Sequence, residues 1–358
     1  MSHLEETVSR IEKWFEEEKE EPTKVDIFLT ERCNLKCRFC NYSKISSEAT
    51  KDEMSDSLIA RLIDEICEMD IKVFGILGGE PFIRKKLLLG SMEKVKKFGI
   101  NGSIVTNGAL LERPDIEKMV RVEWDLIRFS IDGFRETHDY LRGLKGSFDK
   151  VLDSIKTFYD VKKKLKSNFP TLEVNFVLTN KNYEELGKLI KKLSIYGINF
   201  VYILPLIELT EEGKHLKISE TQISEAKKFL KEAEKICKEC GVRSNLEEII
   251  KKNLFLYSNK MEKIILEYRE KLPPCFLPWY TMNINSDGSV TPCAQWPKSE
   301  GIKLNGKSLR KVWFEDFEKF RDSTKNDLPE WCSRCCTPLV DENIEIREKI
   351  AECEKDGR

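Results

Sequence analysis

The chain has 358 residues, with 61 Lys and Arg against 62 Asp and Glu, for a formal charge of -1. That length holds one large domain and a smaller one, and so even a charge balance gives no global attraction for nucleic acid or a membrane surface. No apolar run is long enough to span a membrane, and the acidic start (Leu4-Glu5-Glu6) is not a signal peptide, so a cytoplasmic location is expected. Twelve cysteines there point to metal or redox chemistry rather than disulfides, and three scattered histidines (His3, His138, His215) leave thiolates as the natural ligands.

Residues 1–23 read as an exposed, Glu-rich N-terminal helix. From Val25 onward, short apolar runs alternate with amphipathic helical periods. The runs are Val25–Thr30, Val73–Leu77, Gly102–Thr106, Leu126–Ile131, Leu172–Leu178 and Phe200–Leu206. Helical periods fall at Ser55–Met69, Lys86–Phe98, Asp115–Val122, Phe148–Lys164 and Tyr183–Tyr196. Repeated βαβ units predict an α/β fold with a parallel sheet. Six units fall short of the usual eight, so residues 24–206 are expected to form an open, partial (β/α)6 TIM-like barrel. Residues 207–270 read as a helical connector, 271–340 as a small cysteine-rich α+β unit with a hairpin turning at Ser286-Asp287-Gly288, and 341–358 as a tail helix.

Ligands of such sheets bind beyond the carboxyl ends of the strands, where the informative residues collect. Cys33, Cys37 and Cys40 follow the first strand, and three thiolates leave one corner of a four-iron cluster without a protein ligand. A zinc knuckle completed from elsewhere is the other reading of that spacing. Gly78-Gly79-Glu80-Pro81 follows the second strand, Thr106-Asn107-Gly108 the third and Ser130-Ile131-Asp132-Gly133 the fourth. Glycines there let the backbone approach a ligand, and Glu80 can pair an ammonium. In the C-terminal unit, Cys275 and Cys293 with the Cys332-x-x-Cys335 pair supply four thiolates, a set that suits either structural zinc or a fully ligated four-iron cluster. Cys67 reads as a core thiol, and the Cys237–Cys240 pair as one core and one surface thiol.

Cys33, Cys37, Phe39 and Cys40, in the pattern C-x-x-x-C-x-aromatic-C after the first strand of a partial barrel, resemble the radical S-adenosylmethionine (SAM) superfamily. The resemblance implies a [4Fe–4S] cluster on those three cysteines, with SAM on the open iron. Reductive cleavage of SAM would then give a 5′-deoxyadenosyl radical that abstracts a substrate hydrogen. It also implies SAM contacts at Gly78, Gly79 and Glu80 (methionine amino group), at Thr106, Asn107, Ser130 and Asp132 (ribose and carboxylate), at Arg142 (carboxylate) and at Phe39 (adenine). No catalytic acid or base is identified.

Cys275, Cys293, Cys332 and Cys335 resemble the SPASM/twitch extension of that superfamily, which implies one auxiliary [4Fe–4S] cluster able to oxidise a substrate radical. Cys336 and Cys353 are too few and wrongly spaced for a second auxiliary cluster, and Asp341 stands where the longer pattern continues. Ala294 stands where sulfatase maturases carry an Asp, which disfavours that activity, and the missing continuation makes the one-cluster twitch form the better match. The expected substrate is a small metabolite, lipid or cofactor precursor, with a peptide as the alternative, and the expected electron donor is a ferredoxin or flavodoxin. A non-catalytic iron–sulfur or zinc redox module is the competing class.

Overall fold

In the computed structural model, which describes residues 2–44, 50–251, 275–325, 328–335 and 337–355, all six apolar runs are strands. They are β1 Lys24–Phe28, β2 Val73–Leu77, β3 Asn101–Thr106, β4 Leu126–Ser130, β5 Thr171–Leu178 and β6 Ile198–Pro205. The crossovers include α2 Asp56–Glu68, α3 Lys85–Lys97, α4 Arg113–Arg121, α5 Arg135–Arg142, α6 Ser147–Leu165 and α7 Leu186–Ser194. Helix α5 carries few inward apolar residues (Leu141 is fully buried), which is why periodicity did not reveal it.

The strands pair in chain order and in parallel. Alternation divides the sheet's two faces. Val25, Ile27, Phe74, Ile76, Ile127, Phe129, Val174 and Phe176 are fully buried against the helices. The intervening residues, Asp26, Phe28, Leu77, Val105, Arg128 and Ser130, face the lumen and are only half-buried.

The C-terminal hairpin does not stand apart from the barrel. Strand β8 (Thr281–Ile284) pairs in parallel with β1, with Lys24 opposite Thr281 and Ile27 opposite Ile284. Strands β9 (Ser289–Thr291) and β10 (Ile302–Lys303) follow antiparallel, and β7 (Arg243–Ser244) adds to the other edge. Among the described residues one ten-stranded sheet results, ending at β10 and β7 and therefore unclosed. The hairpin satisfies the edge groups that β1 would otherwise expose.

Two terminal helices complete the frame. Helix α1 (His3–Phe15) is not the exposed helix its Glu content suggested. Val8 and Ile11, one helical turn apart, are buried with Phe276, Trp279, Tyr280, Ile346 and Ile350. Arg10, 3 % exposed, pairs with Glu6 and Asp70. The C-terminal helix, Thr337–Lys355, reaches both ends of the six-stranded barrel. Asp341 accepts from the Tyr202 hydroxyl on β6 at 3.1 Å, and Glu342 lies 4.0 Å from Lys24 Nζ on β1.

In the connector, α8 (Glu211–Lys214), α9 (Ile223–Cys240) and α10 (Leu246–Lys251) are helical; its remainder (252–270), the Pro273-Pro274 opening and Cys336 lie outside the described residues. Cys67 and Cys237 are buried core thiols, with Cys240 half-buried.

Candidate active site

The Cys33–Cys40 loop is held in shape by backbone contacts from two sides. On one side Gly79 N donates to Thr30 O at 2.8 Å and Glu80 N to Arg32 O at 2.9 Å. A side chain at Gly78 would come within 2.5 Å of Thr30 O, and one at Gly79 within 2.3 Å of Arg32 O. The glycine pair is therefore required by the protein's own backbone, whatever else it touches. On the other side the C-terminus of α5 seats the loop, with Lys36 N donating to Arg142 O and Arg38 N to Leu141 O. Gly143, at φ +68°, ends that helix, and a Cβ there would lie 2.2 Å from Lys36 O.

Between these supports lies a cavity of about 260 Å³ whose walls include all three thiols, Gly78 and Gly79, Thr106 and Asn107, Ser130 and Arg142. The loops after four successive strands thus converge on one space, and Phe28, Leu77 and Val105 form its apolar side. These last three sit at lumen-facing strand positions and were readable from the period-2 alternation. Tyr42 and Ser43, also in the wall, carried no sequence signal.

Three residues expected at the cofactor lie behind the wall instead. Phe39 does not line the cavity; it packs with Leu35, Leu141, Leu206 and Leu216, under the Arg142 guanidinium, whose Cζ lies 5.4 Å from the ring centre. Glu80 is fully buried, and both its oxygens are taken by the protein: Oε1 accepts from Phe82 N and Thr106 Oγ1, Oε2 from Asn107 N. Burial pushes its carboxyl up to about 7 against those three donors. Its carboxylate ties the β2 loop to the β3 loop rather than presenting itself to a ligand. Asp132 is also fully buried. One oxygen accepts from Val177 N at 2.8 Å and the other pairs with Arg142 Nε at 2.5 Å.

His138 and Asn182, neither marked in the sequence, complete the setting of Asp132. His138 Nδ1 accepts from Asp132 N at 3.1 Å, and Asn182 Nδ2 donates to Asp132 O at 3.0 Å. Arg142 is thereby aimed, with its Nη1 3.9 Å from Cys37 Sγ. Asn180, at the end of β5, bonds Leu216 and His215 and braces the connector.

The thiols fit an iron–sulfur cluster. Among the described residues no three Cys, His, Asp or Glu side chains gather tightly enough to chelate a single ion. A cuboidal cluster takes each sulfur on a different iron, and three sulfurs around one cavity suit it. N–H donors of the kind that tune cluster sulfurs are in place: Leu35 N at 3.4 Å and Asn107 Nδ2 at 3.8 Å from Cys33 Sγ. Burial raises the Cys33 thiol to about 11 and also lifts Cys37, so metal loading must displace protons.

The C-terminal thiols come from separate segments. Cys275 precedes the helical turn Leu277–Tyr280, Cys293 follows β9, and Cys332 and Cys335 lie on and just after the turn Glu330–Arg334. Cys332 is within electrostatic reach of both Cys275 and Cys293, and burial pushes Cys275 and Cys332 up to about 12. Trp279 and Tyr280 belong to the core shared with α1, while Trp296 packs edge-on against Phe320 and Trp331. These aromatics are the interior of the small unit.

Residues 27–193 match the Radical SAM superfamily, and residues 275–336 match SPASM, an iron–sulfur cluster-binding domain. The AdoMet-dependent heme synthase of Methanosarcina barkeri is 25% identical over 86% of this chain and 86% of its own length. Fe-coproporphyrin III synthase of the same organism is 38% identical, over only 35% of this chain and 31% of its own. The sporulation killing factor maturation protein SkfB of Bacillus subtilis is 26% identical over 76% of this chain and 60% of its length. Among solved structures, Streptococcus suis SuiB bound to S-adenosylmethionine superposes with a TM-score of 0.65 at 18% identity, covering 87% of this chain and 71% of SuiB. The cofactors are accordingly SAM, a [4Fe–4S] cluster in the barrel and auxiliary iron–sulfur in the C-terminal domain. The chain belongs to the radical SAM superfamily and is an enzyme with a TIM-like α/β domain and a C-terminal SPASM domain.

Proposed function

We propose that Cys33, Cys37 and Cys40 hold the SAM-binding cluster and that SAM occupies the cavity beside them. The observation that carries this is the shared wall: three thiols, the Gly78-Gly79 backbone, Ser130 and Arg142 line one space. When bound, the clusters and SAM supply one-electron chemistry: reductive cleavage of SAM to an adenosyl radical, and a site for the electron a substrate radical gives up. The protein's residues bind and orient. Arg142, held by Asp132, offers its remaining N–H groups to a carboxylate. Thr106 and Asn107, fixed by Glu80, set the β3 side of the cavity.

Cys275, Cys293, Cys332 and Cys335 hold the auxiliary cluster in this reading. With four protein ligands it has no open position, so its role is to accept an electron or support the pocket rather than to bind substrate. We favour oxidation of a small metabolite or cofactor precursor, since the heme synthase shares most of both lengths. Maturation of a peptide is the second reading, supported by SkfB and by the PqqA peptide cyclase of Granulibacter bethesdensis, 23% identical over 87% of this chain and 79% of its own length. A ferredoxin or flavodoxin as donor and a cytoplasmic setting complete the proposal; no helix among the described residues is long and apolar enough to cross a membrane.

The test is anaerobic reconstitution, reduction in the presence of SAM, and detection of 5′-deoxyadenosine by mass spectrometry. Steady formation of that nucleoside, with about eight irons per chain, is expected. Its absence sinks the SAM-site assignment, and four irons plus one zinc would make the C-terminal site structural.

A further inference from the structure

The lumen face of the sheet changes character along the row that leads out of the cavity, from lining residues to Arg128, Glu173 and Asn175 just beyond them. Phe28 and Leu77 are register partners on the cavity's apolar side, and Val105, also in its wall, is opposite Arg128 on β4. Arg128 in turn is opposite Glu173 on β5. Two residues further along β4, and so on the same face, Ser130 lines the cavity and is paired with Asn175. An apolar row thus turns ionic at mid-strand, where barrel interiors are normally packed with branched apolar side chains.

The arginine is tethered but not used up. Its Nε donates to Glu173 Oε2 at 2.7 Å, and it has no other partner among the described residues. The side chain is 38% exposed although it projects from the middle of an interior strand. A guanidinium carries five N–H donors. Binding through Nε leaves both terminal nitrogens, the fork that grips a carboxylate or phosphate in two parallel hydrogen bonds. The Asn175 side-chain amide beside it likewise has no hydrogen-bond partner among the described residues, and it is opposite Tyr202, whose hydroxyl reaches Asp341. Glu173 fixes the guanidinium through Nε, and Arg128 stands on the same face as Ser130, two residues before it, and opposite the cavity-lining Val105.

We infer that Arg128, with Asn175 beside it, binds an oxyanionic group of the substrate, so that the radical reaction acts on an anionic molecule rather than an uncharged lipid. This rests on the cavity being the SAM site. Arg128 acts as a specificity-determining residue: it fixes where the substrate's anion lies, and so which C–H bond faces the radical.

The test uses the reconstituted, reduced full chain and a cell's small-molecule extract split on an anion exchanger at neutral pH. The probes are the retained fraction, the same fraction after phosphatase treatment, and the flow-through. For each variant the reading is the ratio of 5′-deoxyadenosine formation with a fraction to that without. In the wild type the retained fraction is expected to raise the rate several-fold and the flow-through not at all. Arg128→Gln should lose about tenfold of the stimulation, and Arg128→Lys, which keeps charge without the fork, should recover part of it. Should Arg128→Gln fail to fold, Asn175→Ala reads the same wall, with an expected loss of about threefold. Loss of the effect after phosphatase assigns a phosphate, and survival a carboxylate. Stimulation by the flow-through, an unchanged ratio in Arg128→Gln and Asn175→Ala, or no stimulation by any fraction overturns the inference. A chain that forms no 5′-deoxyadenosine under any condition instead refutes the SAM reading on which it rests.

Discussion

The two cysteine groups of this molecule are built in opposite ways. Cys33, Cys37 and Cys40 come from one eight-residue loop, its backbone gripped by the β2 glycines and the end of α5, and all three face a common cavity. Cys275, Cys293, Cys332 and Cys335 come from three separated segments brought together by folding, amid buried Trp279, Tyr280 and Trp296. The first group offers three thiols to an open cavity; the second offers four, two of them with pKa values raised by burial, among aromatic rings. An open metal position makes chemistry available, and a closed one conserves a structure or moves an electron. The contrast also separates what local sequence can organise from what needs the whole chain. A short loop needs only its neighbours' backbones, whereas the closed set needs the hairpin to dock on β1 and the C-terminal turn to return to it.

The comparison breaks most sharply if the groups depend on each other. Replacing Cys33, Cys37 and Cys40 by Ala should abolish 5′-deoxyadenosine formation while leaving about four of about eight irons. Replacing Cys332 and Cys335 by Ser should remove the other four and abolish oxidised product, with SAM cleavage retained. Iron analysis beside nucleoside detection reads both, and loss of all iron in either variant would show one coupled site.

Smaller effects probe the supports of the open loop. Arg142→Gln leaves the Asp132 carboxylate buried and unpaired, and should cost about 3–5 kcal/mol in urea denaturation. His138 adds a pH dependence. Burial lowers its pKa from 6.5 to about 3, so the folded state holds it neutral while the unfolded chain binds a proton below pH 6.5. Stability is therefore complete above that value and is lost as pH falls towards about 3. By about pH 4 the loss should be about 3 kcal/mol, and His138→Gln should flatten the acid limb of the denaturation curve. Gly143→Ala drives a Cβ against Lys36 O at positive φ, for an expected loss of about 1–3 kcal/mol and weaker iron retention in the barrel site alone.

Several features are legible in the sequence alone. The strands follow from short β-rich runs at crossover spacing, and all six stand within two residues of their expected bounds, since the helix-facing positions of each strand are apolar and recur at period two. The cysteine loop and the residues at the strand ends follow from spacing and order, which survive without knowledge of packing.

Contacts between segments far apart in the chain were not legible. Glu80, Asp132 and Phe39 sit in the expected motifs, yet their side chains turn into the protein, because Thr106, Asn107, Arg142 and a cluster of leucines lie there to receive them. Helix α1 looked solvated until Val8 and Ile11 found Phe276 and Tyr280 across the fold. The residue types and spacing at Cys33–Cys40 by themselves point to metal chemistry on that loop. Only the tertiary structure decided which neighbours face the same space, because a side chain's direction depends on register and packing partners that the local chain does not contain.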